Sequence, residues 1–381
     1  MRDYVITSER IITTKGVIAG AIAVEKGKIA AIGDIEKEYK HLPVHHCQST
    51  DLIMPGFIDI HIHGSNGCDV MDAKVDALDV IAQALKKQGV LGFLATTMTQ
   101  SEDAIFNALQ AVAQYQTVTN STKDAAKILG VHLEGPFISP DKIGAQNPDY
   151  LQRFSLEKLE RWQYAAKGQI RKLTLAPEIE GAESLTSWCK NNQVIASIGH
   201  TNCTAKQAKN AIDQGCLQAT HLFNAMSGID HRHPGAAMAL LMAKDVAVEL
   251  IVDGVHLADD TVRMVYEIKG ADHIILITDA ISAQGVGEGV FELGGQKVLV
   301  KGNQARLENG VLAGSVLTMN KALATMLKFS ACSLPELVKM TSTNAAKSLG
   351  LAHKMGDIQV GMDAGFVVLD HTFQIKQKLQ N

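Results

Sequence analysis

Two histidines one residue apart close an apolar run in Pro55-Gly56-Phe57-Ile58-Asp59-Ile60-His61-Ile62-His63-Gly64. Side chains alternate between the two faces of a strand, so His61 and His63 point the same way and both imidazoles can reach one cation. Alone, such a pair is a weak signal, since a strand-end histidine is more often a hydrogen-bonded structural residue. Recurrence gives it chemical weight, because other apolar runs of this chain also end in ionisable side chains. Val131-His132-Leu133-Glu134 ends in Glu134, Ser197-Ile198-Gly199-His200 in His200, Ala219-Thr220-His221 in His221, and Ile277-Thr278-Asp279 in Asp279.

Imidazoles and carboxylates without thiolate form a donor set for one or two divalent ions, and Zn²⁺, Fe²⁺, Mn²⁺ and Co²⁺ all suit it. Such a centre acidifies a bound water towards neutrality and so makes hydroxide available as a nucleophile. Glu134 is the ligand-type carboxylate nearest the middle of the set and can bridge two ions. Asp279 is expected to take a proton from the water during attack and return it to the leaving group; its alternative roles are a sixth ligand or a residue that orients a histidine. His132, which alternates with Glu134 along one strand, is expected to pack or hydrogen-bond inside.

The elements that must position these residues follow from pattern. Residues 1 to about 53 give short strands and turns: Tyr4-Val5-Ile6, Arg10-Ile11-Ile12-Thr13, Ala21-Ile22-Ala23-Val24 and Ile29-Ala30-Ala31-Ile32-Gly33. From about 54, short apolar runs alternate with segments of helical spacing such as Val75-Leu78-Ile81-Leu85 and Ala205-Ala208-Ile212. Eight runs are recognisable: 56–61, 91–98, 128–133, 172–176, 194–198, 218–222, 246–252 and 273–278. Repeated βα units predict a parallel sheet, and eight of them suit a (β/α)₈ barrel, in which all the ionisable strand ends meet on one face. A doubly wound open sheet is the competing architecture; it would carry a glycine-rich phosphate turn where this chain has His-x-His. Residues 335–349 read as a helix. The tail from about 356 returns to strand and turn. The expected organisation is therefore a small discontinuous β unit from residues 1–53 and 351–381, and a catalytic barrel over 54–350.

Composition excludes several classes of protein. Of 381 residues, 46% are hydrophobic and 20% charged, with a formal charge of -4, which gives no footprint for nucleic acid. No run approaches the ~18 apolar residues of a membrane span, and the charged opening Met1-Arg2-Asp3 does not suit a signal peptide. The six cysteines form no Cys-x-x-Cys pair, so the expectation is a cytoplasmic protein without nucleic-acid or membrane partners.

These motifs resemble the amidohydrolase superfamily and, within it, the N-acetylglucosamine-6-phosphate deacetylases. The resemblance spans nearly the whole chain. It rests on the His61-Ile62-His63 segment, His132-Leu133-Glu134-Gly135-Pro136-Phe137, Gly199-His200-Thr201, Thr220-His221-Leu222-Phe223-Asn224-Ala225-Met226, Val252-Asp253-Gly254-Val255-His256, Thr278-Asp279-Ala280 and Leu312-Ala313-Gly314-Ser315. Glu-Gly-Pro-Phe and His-Leu-Phe-Asn-Ala-Met are its more specific parts. It implies metal ligation by Glu134, His200 and His221, with His61 and His63 as the extra pair of two-metal members, and acid/base catalysis by Asp279. It implies substrate contacts at Ala145, Gln146, Asn224, Ala225, Arg232, His256, Leu312, Ala313 and Gly314. Arg232 offers a fork of donors to a phosphate, and in some members its loop crosses a dimer interface, so a homodimer is expected.

One departure stands out. Many members have His where this chain has Gln146, which can donate a hydrogen bond but cannot become cationic. A second ion would then take over part of the carbonyl polarisation. The expected reaction is hydrolysis of the N-acetyl group of N-acetylglucosamine 6-phosphate; the galactosamine epimer, a cyclic amide, or a non-catalytic scaffold on the same fold are the alternatives. The glycine-rich stretch Gly285-Val286-Gly287-Glu288-Gly289 follows the last barrel run and opens no helix, so a lid or turn is expected there rather than a dinucleotide site.

Overall fold

The structure is a computed structural model that describes residues 3–118 and 124–378. Residues 379–381 of the expected terminal unit, and the first two residues of the chain, lie outside that range.

The chain opens with β1 (Tyr4–Thr13), β2 (Gly16–Glu25), β3 (Lys28–Gly33), β4 (Val44–His46) and β5 (Leu52–Pro55). Two runs that read as separate strands, Tyr4–Ile6 and Arg10–Thr13, are one strand with a register shift between Ser8 and Ile11, so the polar Ser8-Glu9-Arg10 step bends the ladder instead of ending it. The same sheet takes in β20 (Phe366–Leu369) and β21 (Ile375–Lys378) in the order β21-β20-β5-β1-β2-β3, with β4 on β1. Its apolar side, Ile6, Ile22, Ile53, Phe366 and Val368 among others, is buried. Neither terminal segment has enough strands to cover that face alone.

β6 (Phe57–Ile62) leaves this sheet directly after Gly56. A Cβ at Gly56 would lie 2.1 Å from Leu91 Cγ, so only glycine lets the chain pass from one sheet into the other at this point. A two-residue hairpin follows, β7 (Gly64–Ser65) with β8 (Cys68–Asp69), and then β9 (Val90–Thr97), β10 (Lys127–Glu134), β11 (Ile170–Leu175), β12 (Ile195–Ile198), β13 (Gln218–Ala219), β14 (Ala247–Leu250) and β15 (Ile274–Leu276). β6 and β9 to β15 form one parallel eight-stranded sheet in sequence order. Its two ends meet through Asp279 N–H donating to His61 O at 2.9 Å and Thr278 Oγ1 donating to Asp59 Oδ2 at 2.5 Å, which brings the sheet round to a barrel.

Helices α1 (Val75–Lys87), α2 (Glu102–Val118), α3 (Leu156–Ala165), α4 (Ala182–Asn191), α5 (Ala205–Gln214), α6 (Ala236–Met242) and α7 (Asp259–Lys269) connect the strands. Their apolar stripes pack on the barrel with Phe57, Phe93 and Trp162 fully buried, each contributing roughly 1.5–3 kcal/mol relative to exposure. The interior of the barrel is polar. His132 Nε2 meets Thr174 Oγ1 at 2.7 Å, Thr174 meets Thr220 at 2.8 Å, and Thr220 meets Ser197 at 2.6 Å. His132 therefore packs and hydrogen-bonds inside, and burial together with the Lys172 charge keeps its ring well below the usual histidine range, as the neutral form.

Two features depart from the sequence reading. The single helix expected over 335–349 is α9 (Leu334–Val338), a π-helical turn (Lys339–Thr343) and α10 (Asn344–Ser348), after α8 (Met319–Ser330). Within that wide turn Ser342 Oγ donates to Gly56 O at 3.1 Å, pinning the crossing point of the two sheets. The second departure is larger. Beyond the Gly285–Gly289 turn lies an antiparallel sheet of β16 (Gly289–Leu293), β17 (Gln296–Lys301), β18 (Gln304–Leu307) and β19 (Leu312–Ser315), with its own apolar core over Met98 and Ile281. The signals were present: Gly294-Gly295, Gly302-Asn303 and Asn309-Gly310 punctuate short alternating strands.

Candidate metal centre

His61 is the penultimate residue of β6 and Glu134 the last of β10, while His63, His200, His221 and Asp279 lie just past the ends of their strands. Three of them, His200, His221 and Asp279, adopt left-handed backbone with φ of 45°, 30° and 48°. Non-glycine residues avoid that region, and here it turns each side chain off its strand axis. The six side chains converge as two trios, His61 with His63 and Asp279, and Glu134 with His200 and His221; within each trio the ligand atoms lie within 4.8 Å of one another.

Glu134 joins the trios. Its Oε1 lies 3.0 Å from His221 Nε2, 3.3 Å from His61 Nε2 and 3.4 Å from His200 Nε2, and its Oε2 lies 3.2 Å from His63 Nε2. Asp279 Oδ1 is 3.2 Å from His63 Nε2 and 3.4 Å from His61 Nε2. His61 Nε2 makes no hydrogen bond despite two carboxylate oxygens this near, and His200 Nε2 faces His221 Nε2 at 3.2 Å. Ring nitrogens and carboxylate oxygens grouped around two common centres are the donor arrangement a divalent ion satisfies, so the residues fit one ion per trio. At the back of the rings, His200 Nδ1 lies 3.0 Å from Lys142 O, which fixes its Nε2 as the inward acceptor.

The electrostatics agree. Burial favours neutral groups, yet the His61 charge, with the His200 and His221 rings beside it, overcomes it at Glu134 and holds that carboxylate well below its usual range. At Asp279, His61 and His63 overcome burial in the same way. Burial would depress His61, but Glu134 and Asp279 push it up to about 9. A pocket that stabilises positive charge against desolvation stabilises a cation.

The centre opens into a cleft of about 450 Å³, a volume suited to a small ligand. Of the expected substrate contacts, Ala145, Gln146, Asn224, Ala225, His256, Leu312 and Gly314 line it. Ala313 does not; it alternates away into the core of the β16–β19 sheet and is fully buried. Arg232 lies on the exposed 229–234 loop, apart from the cleft lining of its own chain. Gln146 spans two groups: its Oε1 accepts from Thr99 N–H at 2.7 Å and its Nε2 donates to Glu134 Oε2 at 2.8 Å. One amide hydrogen of Gln146 is thus committed to orienting Glu134. His256 Nδ1 lies 2.7 Å from Asp253 Oδ2, leaving Nε2 for a ligand.

The β16–β19 sheet supplies a wall of the cleft that the sequence did not suggest. Its Arg306 lines the cleft, with Nε donating to Gln304 Oε1 at 3.0 Å and Nη1 to Gly310 O at 2.6 Å. Gly314 carries the sheet to Asp279: a Cβ there would come within 2.8 Å of Asp279 O, and its φ is 58°. The next residue locks the approach, as Ser315 N–H donates to Asp279 O at 2.8 Å and Ser315 Oγ to Thr278 O at 2.6 Å.

Residues 52–381 match the model of the amidohydrolase family, and residues 1–48 match that of the allantoinase composite domain. The chain belongs to the amidohydrolase family. Among relatives within it, the N-acetylglucosamine-6-phosphate deacetylase of Bacillus subtilis is 37% identical over 96% of this chain and 92% of its own. A solved structure of the same-named enzyme from Thermotoga maritima superposes with a TM-score of 0.89 at 34% identity, covering 99% of this chain and 98% of that one. An aspartate-to-alanine variant of the Mycobacterium smegmatis enzyme, solved in complex with N-acetyl-D-glucosamine-6-phosphate, superposes at 0.91 with 29% identity over 100% and 98% of the two chains. The eight-stranded barrel is thus the family's fold, and in this chain its strand ends bring together two adjoining trios of candidate ligands.

Proposed function

We propose that this amidohydrolase hydrolyses the N-acetyl group of N-acetylglucosamine 6-phosphate, giving glucosamine 6-phosphate and acetate. The observation that carries the reading is the convergence of Asp279 and both trios on the floor of a cleft with hydrogen-bonding walls. His61 and His63 with Asp279 would hold one divalent ion, and Glu134, His200 and His221 the other. Ions there supply Lewis-acid polarisation and a water acidified towards neutrality. Asp279 takes the proton as the water oxygen bonds to the acetyl carbon. It then returns that proton to the sugar nitrogen as the C–N bond breaks, so a neutral amine departs. Gln146 keeps Glu134 aligned, and the clamp from Ser315 keeps the Asp279 backbone in place.

The phosphate end of the substrate belongs at the other end of the cleft. Arg306 is the sole lysine or arginine in the cleft lining among the described residues, and its guanidinium suits a phosphate, with His256 Nε2 as a further donor. Arg306→Ala should raise KM for the 6-phosphate at least tenfold with a smaller change in kcat, since it removes binding remote from the reacting carbon. Steady-state kinetics with and without the phosphate on the substrate checks this. Arg232 lies outside the lining of its own cleft, which supports the reading that it serves the cleft of a second copy in a homodimer. The chain's six free cysteines fit the reducing cytoplasm, and no helix among the described residues is long and apolar enough to cross a membrane.

The decisive experiment is a panel of N-acetylated glucosamine and galactosamine 6-phosphates, their unphosphorylated sugars and cyclic ureides, assayed for acetate or amine release. Release of acetate from the gluco 6-phosphate with the highest kcat/KM is the expected result. Preference for the galacto epimer would reassign the substrate, and no release from any sugar 6-phosphate would remove the proposal.

A further inference from the structure

The barrel holds an ion pair that the reaction above does not use. Lys172, on β11, and Glu249, on β14, are both fully buried, and Lys172 Nζ is paired with Glu249 Oε1. Two strands, β12 and β13, separate them in the sheet, so the pair crosses the barrel interior instead of joining neighbours. Isolated buried charges are costly, and such a pair contributes little net stability compared with apolar residues of similar size. Its position offers another role. The second carboxylate oxygen, Glu249 Oε2, lies 3.2 Å from His61 Nδ1.

His61 has one nitrogen at Glu249 and the other among Glu134 and Asp279. In the neutral ring that binds an ion, Nδ1–H donating to Glu249 leaves the lone pair on Nε2, facing His63 and Asp279. In the other tautomer Nε2–H would face Glu134 and Asp279, and a proton would stand where the ion binds. A carboxylate behind the ring selects the first state and raises the basicity of the inward nitrogen. Lys172 balances the Glu249 charge, so this control adds no net charge beneath the centre. The other site histidines differ: His200 backs onto a backbone carbonyl, and His63 Nδ1 and His221 Nδ1 have no hydrogen-bond partner among the described residues. The contact of Glu249 with the other trio is weaker, a 3.4 Å approach to the His221 backbone N–H.

We infer that Glu249, with Lys172 as its counter-charge, is a positioning residue that sets His61 as a ligand and so controls selectively the affinity for the ion at His61, His63 and Asp279. The inference rests on the two-ion reading given above.

The test is titration of metal-free full-length protein with Zn²⁺ against a competing chelator, with bound ions counted by mass spectrometry. Wild type should bind two ions. The double variant Lys172→Met with Glu249→Leu removes the pair while keeping apolar volume. It should weaken one ion by roughly 10- to 100-fold and leave the other nearly unchanged. Glu249→Gln, whose neutral amide oxygen still accepts from His61 Nδ1–H but raises the basicity of the inward nitrogen less than a carboxylate does, should recover only part of the loss and leave that one ion several-fold weaker than in wild type. Wild-type affinity for both ions in the double variant, or equal weakening of both, overturns the inference. Wild type binding a single ion overturns the two-ion reading and this inference with it. If circular dichroism shows the double variant unfolded, Glu249→Gln alone decides: weakening confined to one ion supports the role, and no weakening or equal weakening of both ions overturns it.

Discussion

Asp279→Asn should lower kcat by roughly 10²–10⁴-fold, the range general acid–base catalysis contributes, while metal content and KM stay close to wild type. The asparagine keeps the shape and an oxygen towards His61 and His63, whose Nε2 atoms lie 3.4 and 3.2 Å from the Asp279 carboxylate, so ion binding loses little. What it removes is a group that can accept a proton from the attacking water and give it to the leaving nitrogen. Its backbone, held by Ser315, should not move. Single-turnover rates with metal analysis of the same sample check this. A loss of tenfold or less would assign Asp279 to ligation or orientation and not to proton transfer.

Complete removal of metal should have the other large effect, taking turnover to the uncatalysed background because nothing then acidifies the attacking water or polarises the acetyl carbonyl. Readdition should restore it in proportion to occupancy. The two trios make the course of recovery informative. If the ion held by Glu134, His200 and His221 supports partial turnover by itself, activity returns in two phases, and a His61→Asn/His63→Asn variant stops at the first. Return of full activity at one ion per chain would show that the histidine pair is dispensable, and would also remove the reason for thinking that a second ion compensates for Gln146. Titration with Zn²⁺, Fe²⁺, Mn²⁺ and Co²⁺ in turn distinguishes the ions by the activity each supports.

The candidate metal centre was legible because each of its side chains interrupts an apolar run at the point where a barrel strand must stop. His61, Glu134, His200, His221 and Asp279 all announce themselves in that way, and the run count led to the eight-stranded sheet. Arg306 had no such marker. It sits in a short antiparallel strand after the last barrel strand, where glycine-rich turns read as loop. Lys172 and Glu249 were visible as charges inside apolar runs, but nothing local pairs β11 with β14; only closure of the barrel brings them across from one another. The resemblance groups Ala313 with its neighbours as a substrate contact, and β alternation buries its side chain while Leu312 and Gly314 line the cleft.

The sheet built from both ends of the chain sets an order on synthesis. β5 runs straight into the strand that carries His61, yet its antiparallel partner β20, paired from Pro55 with Phe366 to Leu52 with Leu369, follows it only after the whole barrel has been translated. At roughly 5–20 residues per second, a nascent chain waits on the order of tens of seconds with that edge of β5 open. An unpaired apolar edge is a template for association with other chains. That edge is therefore a point of exposure during synthesis, and truncation before Phe366 should convert the passing exposure into a permanent one, with His61 and His63 anchored to an incomplete sheet.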